Sequence, residues 1–117
     1  MKKILRIAKL LDNYGPLLTK RQQTFLRLYY EEDLSLGEIA TEYKISRQAV
    51  YDIIRRAEAL LGEWDQKLNL VERGEKQQQN LVEALRLVAQ IKAKVKDQEA
   101  EALLNRLKSL LATFSEI

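Results

Sequence analysis

Pro16 is the only proline in this chain, and only four glycines accompany it over 117 residues. Strands have to be reversed every few residues by turns rich in such residues. A sheet-rich fold is therefore out of reach. Most of the rest is Leu, Ala, Lys, Glu, Gln and Arg, straight-chain residues that lose little on entering a helix. Apolar residues make up 46% of the chain, enough for one core, or for one small domain with an appendage. The expected fold class is all-α.

Apolar periodicity and capping residues divide the chain into helices near 3–12, 19–32, 35–43, 46–72, 76–96 and 98–115. Ile4, Ile7, Ala8, Leu10 and Leu11 form the first stripe, which should stop at Asn13-Tyr14-Gly15-Pro16 because the residue before proline avoids the α region. Thr19 with Gln22, and Ser35 with Glu38, have the spacing of capping boxes. Phe25, Leu26, Leu28 and Tyr29 line the second helix; Ile39, Ala40 and Tyr43 line the third. After Ser46 comes a stripe through Ala49, Val50, Ile53, Ile54, Ala57, Leu60, Leu61, Trp64, Leu68 and Val71. It predicts one long helix ending near Gly74, with a break at Gly62 as the alternative. Gln77-Gln78-Gln79 reads as an exposed helix start. Leu81, Ala84, Val88, Ile91 and Val95, then Ala100, Leu103, Leu107, Leu110, Phe114 and Ile117, make two heptad-like stripes joined by a short turn, with Asp97 as N-cap. They predict an antiparallel hairpin.

Several chemistries lose their reagents. The chain has neither histidine nor cysteine, which removes the commonest general base, the commonest zinc ligand and any disulfide framework. Thr19, Ser35 and Ser46 serve as caps, with no base to activate them as nucleophiles. No glycine-rich phosphate loop is present. The acidic run Glu31-Glu32-Asp33 ends a helix, where the macrodipole disfavours anions, so a partner such as Arg27 or Arg47 is expected. Neither a metal, a cofactor nor an enzyme activity is expected. No apolar run approaches the roughly 20 residues of a membrane span. The start, Met1-Lys2-Lys3-Ile4-Leu5-Arg6, resembles a signal peptide only until Arg6 and Lys9 interrupt it. A cytosolic protein is expected.

Residues 34–56 hold the informative pattern. Two short helices crossing in a helix-turn-helix need a small residue at the crossing, apolar inner faces and a capped second helix. Ala40, then Ile39, Tyr43, Ile45, Val50 and Ile53, then Ser46 meet these needs. Lys44 stands where many such turns have glycine, so a left-handed turn residue here would be lysine. The second helix turns Arg47, Gln48, Tyr51, Asp52 and Arg55 outward, with Arg56 beside them. Arg and Gln read base edges in a major groove, and Arg also grips phosphate. Lys44 in the turn, and Arg21 and Gln22 on the second helix, complete the candidate nucleic-acid-binding set. Charge agrees: residues 1–61 hold eleven Lys and Arg against eight Asp and Glu, whereas 62–117 hold nine of each. Two other readings stay open, a plain three-helix core with a solvated face and a helix-turn-helix used for protein contact. Asp52, which repels phosphate, leans toward the latter.

Residues 17–61 resemble the fourth conserved region of bacterial sigma factors, through Leu18-Thr19, Arg21-Gln22, Tyr29-Tyr30, Leu34 to Ala40 and Ile45 to Tyr51. A sigma factor needs further regions upstream to bind core polymerase, so a complete sigma factor is not expected here. The whole layout, including Asn13-Tyr14-Gly15 and Tyr51 to Arg56, is similar to the YlxM family of small bacterial helix-turn-helix proteins. That resemblance implies a bacterial accessory or regulatory protein of the signal recognition particle pathway, with that particle's RNA or protein as partner. Residues 1–61 would be the nucleic-acid-binding domain and 62–117 a helical interaction module. The heptad stripes favour a homodimer over a monomer. The alternatives are a DNA-binding transcription regulator and a protein-only adaptor.

Overall fold

Hydroxyl side chains set where three of the helices begin. Thr19 accepts from the Gln22 amide at 3.1 Å while the Gln22 side chain accepts from the Thr19 amide at 3.0 Å. Ser35 and Glu38 repeat the reciprocal pair at 3.0 Å each way. Ser46 accepts from the Ala49 amide at 3.0 Å. Each satisfies donors that a helix N-terminus leaves orphaned, a contribution of about 1 kcal/mol per cap. The computed structural model describes residues 2–116. It contains α1 (Lys2–Tyr14), α2 (Lys20–Tyr30), α3 (Leu36–Tyr43), α4 (Arg47–Leu68), α5 (Leu70–Lys94) and α6 (Gln98–Ala112), with 3-10 turns at Gly15–Leu17 and Thr113–Glu116. No strand occurs among the described residues, and the all-α class holds.

Residues 1–71 and 72–117 form two compact units. In the first, α4 packs against α1, α2 and α3. Ile7, Leu10, Leu11, Tyr14, Leu18, Phe25, Leu26, Ile39, Ala40, Val50, Ile54, Ala57 and Leu61 make one buried core. Ile53 is half-buried beside it. Ile4 and Leu68, expected inside, are exposed, because each lies at the outer end of its helix stripe.

The long helix ends earlier than its stripe suggests. Gly62 and Gly74 both sit within helices, and the break falls at Asn69, which adopts φ 55° and ψ 36°. Asparagine is among the few non-glycine residues that tolerate this left-handed conformation. Its amide still reaches the Asp65 carbonyl at 2.7 Å. What fixes the break is a buried polar network. The Tyr14 hydroxyl, fully buried, donates to Asp65 Oδ1 at 2.8 Å and accepts from the Leu70 amide at 3.0 Å. Asp65 Oδ1 also accepts from the Val71 amide at 3.2 Å. Leu70 and Val71 open α5, so Tyr14 and Asp65 together satisfy two of its orphan amides, and the carboxylate suits the positive end of the dipole. Arg6 Nη2 lies 3.7 Å from Asp65 Oδ2.

Within the second unit, the three residues 95–97 connect α5 to α6, and Lys92 Nζ donates to Asn105 Oδ1 at 2.6 Å. Asp97 takes the N-cap position without a side-chain hydrogen bond. Gln77-Gln78-Gln79 lies inside α5 rather than at a helix start, exposed throughout. The hairpin seam also differs from the expected one. Leu81 and Val88 are buried on α5, and Ala100, Leu104 and Leu111 are half-buried on α6. Leu103, Leu107, Leu110 and Phe114 remain 44% to 63% exposed, and Ile91 is exposed as well. The apolar face of α6 is wider than one partner helix covers, so only one edge of it enters the seam. Ile117 lies outside the described residues.

Candidate nucleic-acid interface

The outer face of α4 is fixed by the turn that precedes it. α3 ends at Lys44 with φ 56° and ψ 43°, so the left-handed residue of the turn is indeed a lysine. The Ile45 amide reaches back to the Ala40 carbonyl at 3.1 Å. The Ser35 amide, and then its hydroxyl, hold the Glu38 carboxyl below its ordinary range, which keeps the cap of α3 charged. Val50, Ile54 and Ala57 are buried on the inner side of α4. Arg47, Gln48, Tyr51, Asp52, Arg55 and Arg56 are consequently exposed on its other side.

Two contacts along the helix order that face. Gln48 Nε2 donates to Asp52 Oδ1 at 3.0 Å, and Arg55 Nη1 donates to the Tyr51 hydroxyl at 3.2 Å. Arg47, Gln48 and Tyr51 line one hollow together with Leu36. Tyr51 and Arg55 also line a neighbouring cleft of about 330 Å³ with Lys3, Tyr29, Tyr30 and Glu58. Arg56 lies outside both. Lys44 is exposed in the turn. Arg21 lines a separate hollow with Lys20, Phe25 and Tyr43, its guanidinium 5.7 Å from the Phe25 ring. The Gln22 side chain is engaged in its capping box. Arg27 Nη1 meets Glu31 Oε1 at 3.0 Å, which supplies the compensation expected for the acidic run.

Sequence reasoning passed over Lys3 and Glu58. Glu58 stands seven residues after Tyr51 and three after Arg55, a spacing that places all three on one side of a helix. The Tyr30 hydroxyl donates to Glu58 Oε1, and Lys3 Nζ lies 3.7 Å from Glu58 Oε2. Burial, and then the Glu58 carboxylate, push the Tyr30 hydroxyl well above its ordinary range. It therefore remains a donor at any physiological pH. Among the described residues no acidic cluster is able to hold a metal ion, and no helix is long and apolar enough to cross a membrane.

Residues 1–106 match the family UPF0122, described as "Putative helix-turn-helix protein, YlxM / p13 like". The chain belongs to this family. UPF0122 is described as a family of helix-turn-helix proteins. Among its members, a protein of Shouchella clausii is 47% identical over 111 residues, covering 92% of this chain and 96% of its own. One from Bacillus pumilus is 43% identical over 110 residues, covering 94% and 97%. One from Desulforamulus reducens is 50% identical over 88 residues, covering 75% of each. The UPF0122 match runs past the helix-turn-helix and into α6.

Proposed function

We propose that this chain is a non-enzymatic, nucleic-acid-binding accessory protein of the cytoplasm that uses the outer face of α4. The carrying observation is the division of α4 itself. Val50, Ile54 and Ala57 are buried, while Arg47, Gln48, Tyr51, Arg55 and Arg56 stand outward behind a capped N-terminus. Lys44 and Arg21 add charge nearby. The Gln22 side chain is held by its capping box with Thr19. The resemblance to the YlxM family supports a setting in the signal recognition particle pathway. The exposed apolar edge of the hairpin supports a second contact, with that particle's protein or, as a homodimer, with another copy.

A promoter regulator discriminates its site by about 10³–10⁷ over random DNA, which takes several base contacts. Here Gln48 is bonded to Asp52, and Asp52 repels phosphate. Few readers remain on the face, and the whole chain carries a net charge of only +3. Recognition of an RNA by shape and backbone needs fewer readers. We therefore expect weak, salt-sensitive, sequence-indifferent binding to duplex DNA, and tighter binding to the particle's RNA or its protein–RNA complex. Fluorescence anisotropy across a salt series tests the face. Arg55→Ala should lower the salt slope by about one unit. Unchanged binding by the combined Arg47→Ala, Arg55→Ala and Arg56→Ala variant would remove the face from consideration. Selection from a random DNA pool tests the ranking: one enriched motif at nanomolar affinity would favour the transcription regulator.

A further inference from the structure

The cleft beside the outer face of α4 contains chemistry that phosphate contact does not use. Tyr29 and Tyr30 meet edge to face with centroids 4.9 Å apart, and Tyr51 joins them from α4. Glu58 is the most enclosed charged group of the cleft, its side chain 21% exposed, whereas Lys3 is 69% exposed and Arg55 lies in the open. A carboxylate flanked by rings, with cations nearer the solvent, suits neither a phosphate nor an apolar peptide. The Tyr30 hydroxyl occupies one lone-pair direction on Glu58 Oε1, and Lys3 Nζ stands 3.7 Å from Oε2 without a hydrogen bond to it. A carboxylate has about four such directions, so each oxygen retains an open one. At about 330 Å³ the cleft falls near the lower end of small-ligand sites, a size for one nucleoside.

We propose that this cleft holds a single unpaired guanosine nucleotide, its base among the tyrosine rings, its N1–H and N2 amino group donating to Glu58, and its phosphate against Arg55. The inference rests on reading α4 as a nucleic-acid interface, since Tyr51 and Arg55 belong to both. Stacking on aromatic rings accepts every base, because each has a π face. Identity is then decided by the Watson–Crick edge. An ionised carboxylate only accepts hydrogen bonds. Guanine alone presents two adjacent donors on that edge. Adenine and cytosine set an acceptor beside their donor, and uracil sets one on each side of it. Each of those acceptors would face a Glu58 oxygen with no proton between them.

The test titrates the full chain with labelled uridine dodecamers bearing one central guanosine, inosine or adenosine, with deoxy counterparts and a duplex of matched length. Guanosine should bind about tenfold tighter than adenosine, the scale of one good bidentate contact. Inosine, which lacks the N2 amino group, should fall between. The deoxy strands should rank alike, because the contact is to the base. Glu58→Gln should abolish the ranking and leave duplex binding unchanged. Tyr30→Phe keeps the ring and frees a lone pair on Glu58, so it should preserve the ranking. Equal affinity for all bases, or a guanosine preference that survives Glu58→Gln, would overturn the proposal. Should neither strands nor duplex bind, the reading of α4 fails by itself, and guanosine 5′-monophosphate decides the cleft. Chemical-shift changes at Tyr29, Tyr30 and Tyr51 that Glu58→Gln removes would support it, and their absence at millimolar nucleotide would refute it.

Discussion

Asp65 shows how much one residue decides when it is buried. It is 8% exposed and is the only buried charged residue among those described. Its carboxylate accepts from Tyr14 and from the Val71 amide. Removing it leaves the Tyr14 hydroxyl and an α5 amide without an acceptor, and a buried group left so costs about 1–3 kcal/mol. Asp65→Ala should therefore lower the unfolding free energy by about 2–3 kcal/mol, measured by urea denaturation. Asp65→Asn keeps an acceptor oxygen and should cost less than the alanine variant. Equal losses would show that the charge, and not the acceptor, matters. Exposed residues behave differently. Gln48, Arg55 and Arg56 touch little of the core, and their replacement by alanine should shift stability by no more than about 0.5 kcal/mol. Any loss of binding in those variants then reports on the interface itself.

At the scale of elements, the turn between α3 and α4 and the outer edge of α6 are the informative places. Lys44 occupies the left-handed region, where a Cβ crowds the backbone and glycine does not. Lys44→Gly should raise the melting temperature, equivalent to a gain of about 0.5–1 kcal/mol, while nucleic-acid affinity falls through loss of one cation. A fall in melting temperature would mean that the lysine stem contributes packing that outweighs the strain. On α6, Leu103, Leu107, Leu110 and Phe114 keep a heptad spacing outside the seam. If this edge joins two copies, Leu107→Glu should convert a dimer to a monomer in sedimentation equilibrium, with helicity by circular dichroism unchanged. A chain that sediments as a monomer before substitution would exclude the homodimer and leave a different protein as the occupant of that edge.

For the whole molecule, the pH response follows from the buried Tyr14 and the half-buried Tyr30. Burial, more than any other cause, raises Tyr14 and Tyr30 above the ordinary value of 10.0. The folded chain thus favours the neutral hydroxyls. Their contribution is fully present below about pH 10 and is lost as pH rises through the higher folded values. Thermal melts should hold steady up to that point and decline beyond it, and Tyr14→Phe should make the alkaline decline shallower. Capping residues and helical periodicity determined the class, the order of helices and the outward set on α4, because caps and amphipathic stripes act over three or four residues. That a left-handed turn residue here would be Lys44 was legible, since it stands where many such turns have glycine. The break at Asn69 was not, because its stripe runs on and the network that stops it joins Tyr14 to Asp65 across 51 positions. The seam of the hairpin was not either, since α6 offers two adjoining apolar edges and local pattern does not choose between them. Nor was the tyrosine cleft, for Lys3, Tyr30 and Glu58 meet only once α1, α2 and α4 have packed. Sequence determines what each helix can present; which faces meet, and therefore which charges end beside which rings, is decided by long-range packing that no short window of residues contains.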